Sequence, residues 1–349
     1  MHTKIRVAIL FGGQSGEHDV SLQSAASILA EIDRSQFEVT AVGIDRLGNW
    51  YLADDPSRML MQGIGPQTGS PVQPAREQGT GDFILSPAGV KPDVVFPVLH
   101  GSLGEDGTLQ GMLEMFGVPY VGSGVLASAA AMDKAVAKDL FRAHDLPVAD
   151  YRLFKRRDWQ QNPDAIMDEV ENVFGYPCFV KPCSLGSSLG VQKAKKRSEL
   201  RTAIEQAAQL DRKILVEEMI VGREIEVAVL GNEDPMASLP GEIRPSNEFY
   251  DYAAKYLDGK SELLIPALLD DAVIASLQRY AIRAYLALDA RGMARVDFFL
   301  QENGRVVINE VNTIPGFTSI SMYPKLWEAT GIGYRDLITE LIRLALQRP

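Results

Sequence analysis

Only two cysteines, Cys178 and Cys183, occur in the 349 residues, too few for a disulfide framework and without the paired CxxC spacing of a structural zinc site. This usage predicts a reducing compartment. No stretch approaches the ~18 to 20 apolar residues of a membrane span. The N-terminal Met1-His2-Thr3-Lys4 leads directly into a strand-like run at 5–11, without the apolar region and small-residue cleavage site of a secretory signal. A cytoplasmic protein with no membrane insertion is expected. Positive charge is also scarce: 35 Lys and Arg stand against 46 Asp and Glu, and the net charge of −11 opposes a broad nucleic-acid or anionic-membrane surface. Any phosphate binding must be local. The signatures GxxxxGK[ST] and strand-following GxGxxG are absent, which removes P-loop and Rossmann readings. There is no internal repeat or low-complexity tract. The length suits two or three domains, because single cores stop growing near ~250 to 300 residues.

What is present is a succession of short apolar runs and glycine turns. Residues 5–11 are apolar apart from Arg6 and end at Gly12-Gly13, and 20–32 are amphipathic, which predicts strand, turn and helix. A second run at 94–99 ends at His100-Gly101. Beyond Gly107, the residues Leu109, Met112, Leu113 and Phe116 fall at helical spacing, with Thr108 as a cap. Between these units, 53–92 is rich in Gly, Pro, Gln and Ser and reads as a long surface excursion rather than core. A short strand at 118–121 before Gly122-Ser123-Gly124 closes a parallel α/β domain. The texture then changes to α+β. A helical stretch at 125–144 is interrupted near Asp133, strands are expected near 151–154, 178–181, 191–194, 214–218 and 224–230, and helices near 163–174, 198–210, 270–288 and 334–346.

Two further β-type runs, 293–300 and 305–311, flank Gln301-Glu302-Asn303-Gly304, and Asn-Gly is the strongest short hairpin signal. With Asn303-Gly304 as a two-residue loop, Asp297 stands opposite Glu310 and Arg295 opposite Asn312. Period-two alternation puts these four side chains on one face and Val296 and Phe298 on the other. Two facing carboxylates destabilise a bare hairpin. A divalent cation removes the conflict, and oxygen ligands beside an amide suit Mg²⁺ or Mn²⁺ rather than zinc. The plainer reading, solvated strand residues paired with lysines, is weakened by the long apolar runs between them and by the glycine-containing loop that follows Asn312.

Mg²⁺ with few protein ligands usually shares phosphate. Gly186-Ser-Ser-Leu-Gly190, between two expected strands, offers backbone N–H and hydroxyl groups to phosphate oxygens, though a loop of this composition is also an ordinary turn. Lys181 and Lys134 would each neutralise phosphate charge. Glu217-Glu218-Met219-Ile220, followed by Glu224, suits a hinge offering backbone groups to adenine and a carboxylate to a ribose hydroxyl; a strand leaving a sheet fits equally.

Taken in order, these segments resemble the D-alanine:D-alanine ligase family of the ATP-grasp superfamily from Phe11 to Trp327. The strings that carry the resemblance are Phe11-Gly-Gly-Gln-Ser-Gly-Glu-His18, His100-Gly-Ser-Leu-Gly-Glu-Asp-Gly-Thr-Leu-Gln-Gly111, Met132-Asp-Lys134, Val180-Lys-Pro182, Gly186-Ser-Ser-Leu-Gly190, Tyr250-Asp-Tyr-Ala-Ala-Lys-Tyr256 and Glu310-Val-Asn-Thr-Ile-Pro-Gly-Phe-Thr-Ser319. The resemblance implies an N-terminal parallel α/β domain followed by a two-lobed ATP-grasp fold, α/β and α+β in class, divided at 1–123, 124–220 and 221–349. It implies ATP-dependent ligation of two D-alanine molecules through a D-alanyl phosphate, supplying peptidoglycan precursors, with D-alanine:D-lactate or D-alanine:D-serine ligation as the alternative. By the same resemblance, Lys134, Lys181, Ser187, Ser188, Glu217, Glu218, Ile220, Glu224, Lys255, Asn309 and Glu310 surround ATP, and Asp297, Glu310 and Asn312 hold two Mg²⁺ or Mn²⁺ ions. The first D-alanine would meet Glu17, Val20 and His100, and Ser321 and Met322 would line the second subsite. Arg295 and the backbone N–H of Gly316 would polarise the carbonyl under attack, and Glu17, Ser187 and Tyr256 would form a network beside it. A lid at 248–259 would exclude water, and its Lys255-Tyr256 pair favours D-alanine as second substrate. A homodimer through the N-terminal domain is also implied.

Overall fold

The computed structural model describes residues 3–244 and 262–347; the lid expected at 248–259, with Lys255 and Tyr256, lies outside the described residues. The first sheet contains β1 (Ile5–Gly12), β2 (Phe37–Ile44), β3 (Trp50–Ala53), β4 (Gly69–Arg76), β5 (Phe83–Ser86) and β6 (Val94–Pro97), in the order β5-β4-β3-β2-β1-β6. β1 runs parallel to both β2 and β6, and its residues from Val7 onward are buried, which is why the sequence there is continuously apolar rather than alternating. The stretch expected to be a surface excursion extends this sheet instead: β3, β4 and β5 add to it antiparallel, and Met59, Val72, Phe83 and Leu85 are buried. Its glycines and prolines mask the strands because β4 pairs with β3 through 69–72 and with β5 through 73–76. Each half of β4 therefore has an open edge, which tolerates Pro71 and Pro74.

A second, antiparallel sheet follows, made of β7 (Tyr151–Lys155), β8 (Cys178–Pro182), β9 (Gln192–Ala194) and β10 (Lys213–Glu218), in the order β7-β10-β8-β9. The helices Pro163–Val173 and Arg197–Leu210 cover it with one apolar face each: Ile166, Met167 and Val170 from the first, Leu200, Ala203, Ile204 and Ala207 from the second. Before it, the interruption at Asp133 is a cap. The Asp133 carboxylate accepts from the N–H groups of Ala135 and Val136, ending the helix Val125–Met132 and starting Lys134–Ala143.

The third sheet is also antiparallel. It holds β11 (Arg223–Gly231), β12 (Met236–Ala237), β13 (Gly241–Arg244), β14 (Glu262–Leu264), β15 (Gly292–Leu300) and β16 (Val306–Asn312), with order β14-β13-β11-β15-β16 and β12 beside β11. Val227, Val229, Val296 and Phe298 pack beneath the helix Asp271–Ala287, leaving the alternate side chains of β11 and β15 for the opposite face. A separate core joins the first sheet to the C-terminal helices: Phe96 meets Phe317 edge to face at 6.1 Å between centroids, and Tyr323, Trp327, Leu337 and Leu341 complete it.

The hairpin of β15 and β16 reaches the expected pairing by an unexpected route. Arg295 faces Asn312 and Asp297 faces Glu310, but Leu300 pairs with Val306. Gly304 N–H donates to Gln301 O at 2.9 Å and Gln301 N–H to Arg305 O at 2.9 Å, so the loop comprises three residues, 302–304, with Gly304 at φ +81°. This turn is one residue longer than the Asn-Gly reading allows. A bulge compensates: between the Asp297–Glu310 and Phe298–Ile308 pairs, Asn309 is the extra residue on β16. Gly304→Ala meets no neighbouring atom within 4 Å, so its cost is backbone strain alone. We expect it to lower the unfolding free energy in urea by about 1 kcal/mol with unchanged far-ultraviolet circular dichroism; no loss of stability would refute the left-handed turn.

Candidate active site

A cavity of about 420 Å³ opens between the second and third sheets. Strand ends supply its walls. Lys181 comes from the end of β8, Glu217 and Glu218 from the end of β10, Ile220 from the connection to β11, and Glu224 and Asp297 from strand faces; Lys134, Ser188, Asn309 and Glu310 also line it. The bulge places Asn309 and Glu310 at the same cavity, where strict alternation would have sent them to opposite faces. Glu218 turns its carboxylate to the Asp150 N–H at 2.9 Å, so it serves the cavity mainly through its backbone.

Charge in this cavity is paired with little slack. Glu217 is buried, with Lys181 Nζ 2.5 Å from Oε1 and Lys138 Nζ 3.1 Å from Oε2. Burial alone would favour the protonated acid, but the two lysines outweigh it and hold the Glu217 pKa at about 2. Lys181 also donates to Asn309 Oδ1 at 3.2 Å. Burial opposes its charge, yet Glu217, Glu310 and Glu224 raise its pKa, whereas burial prevails at Lys138 and lowers it. Lys134 Nζ lies 3.8 Å from Glu310 and donates to Leu185 O at 2.6 Å, tying the 183–190 loop to the cavity wall.

Arg295 neutralises Asp297 directly: Nε and one Nη donate to its two oxygens, each at 2.7 Å, and Nε lies 2.9 Å from Glu226. Burial opposes the guanidinium charge, but Asp297 and Glu226 hold it well above its ordinary pKa. The facing carboxylates thus already share a protein counter-charge in Arg295, beside any cation that the pairing was expected to require. Asn312 donates to Asp297 at 3.1 Å, and among the described residues no third carboxylate, His or Cys joins this set as a metal cluster. The donors nevertheless fit a hard divalent cation, because a carboxylate offers about four lone-pair sites and accommodates both Arg295 and a metal. Asp297, Glu310 and the Asn312 amide would hold it.

The rim joins residues far apart in sequence. Ser187 donates its hydroxyl to Glu17 across 170 positions. Glu17 is closely boxed: a Cβ on Gly101 would lie 2.5 Å from Glu17 Oε2, and one on Gly186 3.1 Å. Gly101 at φ +75° and Ser187 and Ser188 at +49° and +57° show how sharply the backbone bends there. His100 is buried beside Glu17. Its Nδ1 donates to Ile314 O at 3.1 Å and its Nε2 meets Ser24 Oγ at 3.1 Å, while Ser24 Oγ accepts from Phe317 N–H at 3.2 Å. Burial opposes a charged His100, but Glu105 and Glu17 outweigh it and raise its pKa. Tyr334 donates to Phe317 O at 2.5 Å, so the residue after Gly316 is held at both its N–H and its C=O. Ser321 Oγ accepts from Thr318 N–H at 3.0 Å beneath Gly316, where a Cβ would clash at 2.8 Å. Val20 and Met322 are buried, Met322 against Gly241. Four contributors were missed from sequence: Lys138, Ser24, Glu105 and Glu226. Lys138 carried a signal, standing four residues after Lys134 on one helical face, and Glu105 lies within the His100–Gly111 string.

Models of two families match this chain: one described as D-ala D-ala ligase N-terminus over residues 6–123, the other as D-ala D-ala ligase C-terminus over 140–343. A D-alanine–D-alanine ligase from Bacillus cytotoxicus is 49% identical over 99% of this chain and 97% of its own. One from Heliobacterium modesticaldum is 51% identical over 99% and 95%. Among solved structures, the VanG D-Ala:D-Ser ligase from Enterococcus faecalis superposes with TM-score 0.89 at 38% identity, covering 98% of this chain and 100% of that one. The D-alanine-D-alanine ligase from Coxiella burnetii gives 0.85 at 37%, covering 99% and 96%.

The Glu217 site has a signature in pH. Its folded pKa is depressed, so its contribution to stability is complete above the ordinary Glu value of about 4.3 and is lost as pH falls through 2. The unfolding free energy should therefore drop more steeply between about pH 5 and pH 2 in the wild type than in Glu217→Gln. Parallel slopes in denaturant titrations would show that the carboxylate is not held ionised.

Proposed function

The chain belongs to the D-alanine:D-alanine ligase family, and we propose that it joins two D-alanine molecules into D-alanyl-D-alanine while ATP becomes ADP and phosphate. The observation that carries this reading is the Ser187–Glu17 contact. It sets a loop suited to phosphate beside a carboxylate suited to an ammonium group, the juxtaposition that phosphorylation of an amino acid requires.

In this reading ATP occupies the cavity, its base at 217–220, its ribose at Glu224 and its phosphates near Lys134, Lys181, Ser187 and Ser188. Glu17, with Val20 and His100 nearby, holds the ammonium of the first D-alanine. The carboxylate oxygen of this D-alanine forms a bond to the γ-phosphorus, the bond to the ADP oxygen breaks, and a D-alanyl phosphate results. Lys134 and Lys181 offset the charge of the transferred group. Asp297, Glu310 and Asn312 are the residues for two Mg²⁺ or Mn²⁺ ions, which when bound would neutralise phosphate oxygens. The amine of the second D-alanine, placed by Ser321 and Met322, attacks the acyl carbon, and its proton passes to a substrate carboxylate or phosphate oxygen or to the network of Tyr256, Ser187 and Glu17. Arg295 and the Gly316 N–H stabilise the oxyanion, and phosphate leaves. The Nε–Nη edge of Arg295 is held by Asp297 and Glu226, so its remaining N–H groups are aimed rather than free to reorient.

The finer features are part of the same proposal. A lid at 248–259 excludes water from the acyl phosphate, with Tyr256 joining Ser187 and Glu17, and Lys255 the nucleotide. The domains divide at 1–123, 124–220 and 221–349, and the enzyme is a cytoplasmic homodimer supplying peptidoglycan precursors. No helix of the described residues is long and apolar enough to cross a membrane.

Purified protein with ATP, Mg²⁺ and D-alanine should release phosphate and form the dipeptide in equal amounts. Preferential incorporation of D-serine or D-lactate at equal concentration would overturn the choice of second substrate. Arg295→Ala should lower kcat by about 10² to 10³, with a far smaller change in ATP affinity. Wild-type turnover in that variant would remove Arg295 from the oxyanion site.

A further inference from the structure

Lys138 is buried on the helix Lys134–Ala143, with 2% of its side chain exposed, and is not among the residues that line the cavity. Its ammonium group lies 3.1 Å from Glu217, whose other oxygen meets Lys181. Lys181 and Glu217 do line the cavity. One carboxylate is thus bracketed by two cations, one facing the ligand space and one behind it. Burying an ammonium group is costly unless something is gained by it, and a single lysine would have sufficed to neutralise Glu217.

The difference between the two lysines is what they can do next. Lys181 can turn toward phosphate only if Glu217 keeps another counter-ion. Lys138 supplies one that cannot leave. An ionised Glu217 has acceptors only, so it recognises a group bearing N–H, such as the 6-amino group of adenine, and repels the 6-oxo group of guanine.

We propose that Lys138 is a positioning residue for nucleotide recognition, a fixed counter-ion that keeps Glu217 charged and aimed at the 6-amino group of the purine while Lys181 serves the phosphates. This rests on reading the cavity as the ATP site.

The test compares Lys138→Met, Glu217→Gln and the double variant, using calorimetric Kd values for ATP and GTP and steady-state kinetics. Lys138→Met should weaken ATP binding by about tenfold, GTP binding by much less, and leave kcat at saturating ATP and the KM for D-alanine within about twofold. In the Glu217→Gln background, adding Lys138→Met should change ATP affinity by less than about twofold, because its target has lost its charge. Wild-type ATP affinity and ATP-to-GTP preference in Lys138→Met would overturn the proposal, as would additive losses in the double variant. If Lys138→Met does not fold, the double variant against Glu217→Gln alone decides, since it removes the Lys138 charge together with the carboxylate it faces, while Lys181 is altered equally in both. Unchanged ATP binding in Glu217→Gln would instead overturn the reading of the cavity as the nucleotide site, and the role of Lys138 with it.

Discussion

Carboxylates gathered at a cavity between two sheets must each find a counter-charge, and much of this molecule is arranged around that requirement. Glu217 has Lys138 and Lys181, Asp297 has Arg295, and Lys134 lies beside Glu310. The partners come from different layers: Lys134 and Lys138 from a helix, Lys181 and Glu217 from the second sheet, Asp297 and Glu310 from the third. Removing one member would leave a buried charge whose desolvation is uncompensated, a loss of about 3 to 5 kcal/mol in comparable pairs. The contacts that cross to the third sheet, at the place where a ligand would enter, include Lys134 beside Glu310 and the hydrogen bond from Lys181 to Asn309.

Apolar packing does the same on the opposite side of the site. Phe317 is wedged among Phe96, Tyr323 and Tyr334, and burying such a ring contributes about 1.5 to 3 kcal/mol. Its peptide N–H and C=O are bonded to Ser24 and Tyr334. The loop bearing Gly316 is consequently held by the helices His18–Glu31 and Tyr334–Leu346 together, although in sequence it follows β16. A backbone donor needs this kind of support, since it has no side chain with which to adjust its aim.

Much of this was legible in the sequence, for reasons that differ by element. Continuous apolar runs ending in glycine announced β1 and β6, and the pairing of Asp297 with Glu310 followed from alternation and an Asn-Gly signal. The turn was read one residue short, because Asn-Gly also closes three-residue loops and local sequence does not reveal a bulge eight residues from Gln301. The strands within 53–92 were hidden by prolines that an edge tolerates. Ser24 was invisible for another reason: a lone serine on a helix acquires meaning only from what the tertiary structure places against it, here the Phe317 N–H, and the spacing of Lys138 from Lys134 says nothing of Glu217. Glu17 and Ser187 were singled out by the family strings, while their contact across 170 positions is a product of the fold.

The hairpin of β15 and β16 works as a vernier. Its turn sets one phase of strand pairing and the bulge at Asn309 restores the other, so the loop end and the carboxylate end are registered separately. Sequence drift at the exposed tip, 302–304, is thereby insulated from the cavity. A lineage can alter that tip and absorb the shift at the bulge, and the alignment of Asp297 with Glu310 is inherited unchanged.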